Sequence, residues 1–185
     1  LRTSTVRSLM QRFAVDEAQA ERVAQVACAL FDQASHGDHA HALRKLGWAA
    51  RLHEIGCRIS HSESHRHGAY ILDNTDVAGF SQPELHRLGM LVLGHKGKVR
   101  KLETDLDDAT FALQLLCLRL AVVLCHARRD PDTHALALHA NTGLGTFELS
   151  VSAGWAERYP QSAHLLREEV LAWQKTPWTL TLDIQ

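Results

Sequence analysis

The residue types that could do chemistry in this chain are mostly imidazoles. Thirteen histidines occur among 185 residues, most of them between His36 and His95. Within that stretch the adjacent pair His53-Glu54 is followed by His61, His65, His67 and His95. Imidazoles and a carboxylate on neighbouring helices are the donor set of a divalent transition-metal site. Any one inward-facing histidine is read as readily as a satisfied core residue, so it is the clustering that points to chemistry. A second candidate is basic. The run HKGKVRK places His95, Lys96, Lys98, Arg100 and Lys101 together without an acidic residue, and Arg51, Arg58 and Arg66 flank the histidine-rich segment. Ammonium and guanidinium groups match phosphate oxygens, and glycines at 94 and 97 let backbone N–H groups approach an anion. The bland alternative for this run is a solvated loop. Nucleic acid fits it poorly, because aromatic residues make up only 6% of the chain and HKGKVRK has none on which bases could stack.

Helical periodicity predicts the elements that must hold these groups. Val6, Leu9, Met10 and Phe13 mark a first helix. Asp16 with Gln19 three residues on starts a second, which carries Val23, Ala27, Leu30 and Phe31 inward. After a polar turn over Ser35 to Asp38, Leu43, Leu46, Ala50 and His53 share one face of a third helix, and Gly56 is expected to end it. His61, His65, Gly68 and Leu72 line a fourth, with His67 and Ile71 on an adjacent face and Asn74 as its stop. Ser81, Pro83 and Glu84 open a fifth, whose Leu85, Leu88, Val92 and His95 lie on one side.

From Leu106 to about Arg129 the chain is apolar nearly all round, which suits a buried central helix or a membrane span. Gln114 and Arg119 favour the core helix, since a mid-span arginine costs roughly 2.5 to 3.5 kcal/mol on insertion. Arg119 then needs a buried acidic partner, and Glu54 is the candidate on burial grounds. Beyond Pro131 the period becomes alternating. Leu136 and Leu138, then Phe147, Leu149 and Val151, then Trp178, Leu180, Leu182 and Ile184 predict three short strands, with a helix over Gln161 to Gln174 between the last two. The expected fold is mainly α, a helical domain over 1–130 with a small α+β lobe over 131–185. Trp155, Trp173 and Trp178 are read as core residues, with a dimer face as the alternative.

A net charge of -1 with 22% charged residues removes any global charge argument for a nucleic-acid or membrane-surface protein, so a polyanion site must be local. Cys28, Cys57, Cys117 and Cys125 form no C-x-x-C pair and are read as reduced thiols of a cytoplasmic protein. The opening LRTSTVRSLMQRF lacks an apolar run and does not begin with Met, which predicts no signal peptide and further chain upstream.

The segment LHEIGCRISHSESHRHGAYILDNTDVAGFSQPELHRLGMLVLGHKGKVRK carries LHE-x-G, HS-x-x-HRH-x-x-YIL, N-x-D-x-x-GF and a later basic H-x-G-K. Together these motifs resemble the C-terminal region of the exopolyphosphatase / guanosine pentaphosphatase (Ppx/GppA) family, and the order of helices and strands extends the resemblance over nearly the whole chain. The resemblance implies an HD-like helical domain with a small terminal lobe, standing behind an N-terminal actin-like module absent from this chain. That module would hold the catalytic carboxylates and Mg²⁺, and would remove terminal phosphate from inorganic polyphosphate or guanosine pentaphosphate. This domain would contribute a polyphosphate-binding passage and part of a homodimer interface. Arg66, His65, His67, His95, Lys96 and Lys98 are the expected phosphate contacts.

The departures from an active HD phosphohydrolase bear on metal. Such a site needs an early His, a His-Asp pair and a late Asp, whereas here stand Gln19, His53-Glu54 and the apolar run Leu120, Ala121, Val122 and Val123. No metal is expected in this domain; His53, Glu54, His67 and His95 are the residues that would rescue one. Three readings follow: a polyphosphate-binding domain of a larger hydrolase, an autonomous metal-dependent HD phosphohydrolase, or a non-enzymatic degenerate-HD signalling and dimerisation module. On the first reading, protonation of the histidine cluster is expected to strengthen binding below about pH 6.5.

Overall fold

The computed structural model describes residues 1–185. Six helices come first: α1 (Arg2–Arg12), α2 (Glu17–Ala34), α3 (Ala40–Leu52), α4 (Ser64–Asp73), α5 (Gln82–Gly94) and α6 (Ala109–Leu124). Strands β1 (Leu136–Asn141) and β2 (Thr146–Val151), helices α7 (Trp155–Arg158) and α8 (Pro160–Trp173), and strand β3 (Thr179–Ile184) complete the chain. The fold is mainly helical with a small three-stranded sheet near its C-terminal end, as the change of period after Pro131 predicts.

Several boundaries follow from local chemistry. The Asp16 carboxylate accepts from the Gln19 backbone N–H at 3.1 Å and starts α2. Ser81 does the same for α5 through Glu84. Asp108 accepts from the N–H groups of both Thr110 and Phe111 to open α6. The end of α3 differs from expectation: it stops at Leu52, His53 caps it, and a 3₁₀ turn over Ile55–Arg58 follows. Gly56 has another duty, because a Cβ there would lie 1.9 Å from the Ser64 carbonyl oxygen where α4 begins. The glycine lets the two segments touch; it does not terminate the helix.

Helix α6 is the axis of the molecule. Every residue from Phe111 to Ala121 is buried, because α2, α3, α5 and α8 surround it. No helix is long and apolar enough to cross a membrane. The two buried polar residues of α6, Gln114 and Arg119, are both satisfied. Gln114 donates to the Ala42 carbonyl at 2.9 Å. Arg119, 7% exposed, meets Glu169 of α8, 5% exposed, with its Nη2 2.6 Å from Oε1 and its Nε 3.0 Å from both oxygens. The partner is therefore Glu169 and not Glu54, which lies near the molecular surface and pairs with Arg128. Glu169 shares the packing face of α8 with Leu166 and Trp173, and the Trp173 indole N–H donates to its second oxygen at 3.0 Å.

In the sheet, β1 runs antiparallel to β2 with Leu138 opposite Leu149, and β3 runs parallel to β2 with Leu149 opposite Leu182. The parallel return requires the crossover supplied by α7 and α8. Phe147 stacks on Trp178 at 4.8 Å and meets Trp173 edge-on at 5.7 Å. Trp155, Trp173 and Trp178 are all buried, so they are core residues. One apolar core runs from Val6 to Leu180 through the helices and the sheet alike.

Removing one member of a buried ion pair strands the other, at a cost of about 3–5 kcal/mol. Arg119→Met should lower the urea midpoint accordingly, while Arg119→Met/Glu169→Leu should recover most of the loss. Equal destabilisation of the single and double variants would contradict a pair whose members depend on each other.

Candidate functional site

The basic run sits where α5 ends. Gly94 is the last helical residue, His95 is the cap, and Gly97 takes a positive φ of 82° that turns the chain back toward the core. Val99 and Leu102 then anchor the loop as buried residues of a 3₁₀ turn, leaving Lys96, Lys98 and Arg100 exposed. The loop is held from beneath: Nη1 of Arg119 donates to the carbonyls of Gly94 at 2.8 Å and Gly97 at 2.9 Å. Lys101 clasps it from the side, its ammonium donating to the Lys96 carbonyl at 2.7 Å. With both carbonyls turned inward, the outer surface of the loop carries cationic side chains.

Helix α4 supplies the neighbouring groups. Arg66 is exposed and makes a surface pair with Glu63 at 3.1 Å. His65 is buried, its ring edge-on to His95 at 6.4 Å, and His95 is in turn edge-on to His53 at 5.0 Å. His53 and His95 each direct Nδ1 to the carbonyl three residues back, Ala50 and Val92 respectively. His65 Nδ1 is buried without a partner. His67 is half-buried on the adjacent face of α4 and stands outside this cluster of three edge-on rings.

The structure thus brings His53, His65 and His95 together and sets Arg66, Lys96 and Lys98 on the surface around them. It does not bring Glu54 to the imidazoles. Glu54 lines a separate cleft of about 340 Å³ with Asp16, Arg58, His61 and Arg128. There the Arg128 guanidinium bridges the two carboxylates, 2.9 Å from Glu54 and 3.0 Å from Asp16. Arg128 adopts a left-handed backbone with φ 57°, uncommon for a residue with a Cβ. Gln19 is turned to structural work, its amide donating to the Cys125 carbonyl at the end of α6 at 3.0 Å. No group of three or more His, Cys, Asp or Glu side chains is arranged to hold a metal ion. With the Glu54 carboxylate committed to Arg128, the donor set does not fit the metal centre of an autonomous HD phosphohydrolase.

Burial pushes the pKa of His95 well below that of a free imidazole, and the neighbouring His53 and Arg119 add to the effect. Burial also lowers His53 and His65, the latter further through the charge of Lys101. Each of these three rings therefore takes up a proton less readily than a free imidazole. Lys101 is lowered to about 8, first by burial and then by the nearby Arg119 charge. Composition alone did not distinguish Lys101 from its neighbours. Glu169 was detectable in principle, since it falls between Leu166, Val170 and Trp173 on the face of α8 that packs.

A histidine whose folded-state pKa lies below its unfolded value of about 6.5 binds more protons when unfolded, so stability rises with pH. The contribution is intact above pH 6.5 and is lost as pH falls below it. The thermal midpoint should decline on acidification from pH 7 to 5. In His95→Gln, which has one fewer buried imidazole, the decline should be shallower. Parallel curves for the two proteins would contradict the assignment.

One comparison with known proteins bears on this geometry. The family model described as Ppx/GppA phosphatase, domain III, matches residues 1–170, from α1 to within the last turn of α8. That span takes in the three edge-on imidazoles, the pinned basic loop and the arginine that holds it, and by it the chain belongs to the Ppx/GppA phosphatase family.

Proposed function

We propose that this chain is the polyphosphate-binding domain of an exopolyphosphatase-type hydrolase, an enzyme that removes terminal phosphate from inorganic polyphosphate or guanosine pentaphosphate. In this reading catalysis belongs to an N-terminal actin-like module with its Mg²⁺, the whole protein is a cytoplasmic homodimer, and the present domain grips the substrate. The observation that carries the proposal is the basic loop. Lys96, Lys98 and Arg100 are exposed on a turn whose carbonyls are drawn inward by Arg119, and Glu63 is the acidic side chain paired beside it with Arg66.

A linear polyanion repeats the same tetrahedral group along its length, so a surface recognises it by charge spacing and hydrogen bonds. Arg66, Lys96 and Lys98 supply exposed cations. His65 and His67 supply imidazoles beside them, and His95, whose Nδ1–H donates to the Val92 carbonyl, would donate to phosphate from Nε2 when protonated. Because Arg119 and Lys101 fix the loop before ligand arrives, less conformational entropy is lost on binding. Glu54 and His53 have no part in this scheme.

Titration of the protein with long-chain polyphosphate at two salt concentrations tests the reading. Affinity should fall steeply with salt, and Lys96→Ala/Lys98→Ala should reduce the log–log slope by about 0.7 to 0.9 per lost contact, by analogy with nucleic-acid phosphates. His65→Ala/His67→Ala should also weaken binding. Absence of binding at low salt would demote the loop to a solvated turn and leave the non-enzymatic dimerisation module standing. Affinity should also decline between pH 7 and pH 9 as Lys101, with its pKa of about 8, loses its proton. Lys101→Arg should flatten that profile, and an unchanged profile would remove Lys101 from the site.

A further inference from the structure

A cleft of about 550 Å³ opens between α1, α2 and α3, and shares no lining residue with the basic loop. Its floor is apolar: Val6 and Met10 come from α1, Cys28 from α2, and Leu43 and Trp48 from α3. Its rim is cationic, with Arg7 on α1 and Arg44 and Arg51 on α3 set against a single carboxylate, Glu21. A concave space of this size, with an apolar lining and a few convergent polar groups, has the character of a small-molecule site.

Arg51 is held in place by the protein itself. Its Nε and Nη2 donate to the two Glu21 oxygens at 2.8 and 3.1 Å, while Nη1 meets no protein acceptor. Nη1 lies over Gly47: a Cβ on that residue would stand 3.0 Å from it and 3.6 Å from the Cys28 sulfur. Glycine is a poor residue for a helix interior, and here it leaves the room in which the guanidinium folds back over the floor. Glu21 therefore balances one of the three cations. Arg7 and Arg44 enter no ion pair, and Arg44 bonds only to the His41 ring at 3.0 Å. The Glu21 carboxyl is held below its ordinary pKa, first by the Arg51 hydrogen bond and, against burial, by the charges of Arg51 and Arg7, so α1 and α3 bring positive charge to the same place.

We propose that this cleft binds an amphipathic carboxylic acid, an aliphatic body that carries one carboxylate. A planar guanidinium pairs a carboxylate through two parallel bonds, as Arg51 already does with Glu21 at this site. The ligand carboxylate would accept from Arg7, Arg44 and Nη1 of Arg51, and the aliphatic body would displace water from Met10, Leu43 and Trp48. A phosphate chain is the wrong occupant. It has no apolar part, and it would press several charges against a floor that offers them no donors. The inference thus goes beyond the proposed polyphosphate function and uses none of its residues.

The test follows the methionine methyl resonances by ¹H–¹³C NMR. The chain has two methionines, Met10 in the cleft and Met90 on α5 outside it, so one signal reports on the site and the other is an internal reference. Met90→Leu assigns them. Octanoate in the low millimolar range should move the Met10 methyl along a saturable curve and leave Met90 in place. Arg7→Ala/Arg44→Ala, which alters two exposed residues, should weaken that response at least tenfold; Lys96→Ala/Lys98→Ala should not. Octanol and octyltrimethylammonium keep the tail without the carboxylate and should bind at least tenfold more weakly, and acetate, which has no tail, should leave Met10 unmoved. A Met10 methyl indifferent to octanoate, moved as readily by the ammonium compound, or unaffected by loss of the two arginines would overturn the proposal. A saturable shift with tripolyphosphate would overturn it as well, by making the cleft an inorganic-anion site. None of these outcomes depends on whether the basic loop binds polyphosphate.

Discussion

A buried guanidinium must be neutralised and hydrogen-bonded, and Arg119 meets both demands by joining three parts of the chain that are far apart in sequence. It lies on the central helix, takes its counter-charge from Glu169 of α8, and directs Nη1 to the carbonyls of Gly94 and Gly97. Trp173 completes the carboxylate. Ion pairs of this kind add little net stability over an apolar replacement, because desolvation offsets most of the attraction. What the pair does supply is geometry. The two helices and the loop have one mutual arrangement in which the buried pair is not left bare.

That arrangement orients the loop. A turn with its carbonyls facing solvent would present acceptors to an anion; drawing two of them onto Arg119 leaves ammonium and guanidinium groups outward. Burial disfavours the charged form of the imidazoles below, so the cationic character belongs chiefly to the surface residues. The same principle operates with opposite effect at Glu54. There a guanidinium is used up on two carboxylates, Glu54 and Asp16, and the one acid that sequence reasoning treats as a potential metal ligand, Glu54, becomes one side of a salt bridge.

The elements were legible because their signals are local. Asp16 and Ser81 cap helices through side-chain bonds three residues long, and alternation after Pro131 marks strands whose faces are half buried. The boundary at Gly56 was misread for an equally physical reason. A glycine that ends a helix and a glycine over which another segment crosses look alike in one dimension, and the clash that distinguishes them involves Ser64. The partner of Arg119 was likewise hidden, since burial requires some acid but does not say which one lies fifty residues away.

The sequence by itself determined the helical class, the strand-bearing tail, the requirement that Arg119 be paired and the concentration of histidine and lysine around one loop. These depend on periodicity, capping and composition, which act within a few residues. Only the tertiary structure decided that the partner is Glu169, that Arg128 takes Glu54, that His53, His65 and His95 meet edge-on while His67 stands apart, and that Trp155 has a donor with nothing to receive it. Each of these is a matter of which charged or polar groups share a desolvated space, and that depends on helices brought together from distant parts of the chain.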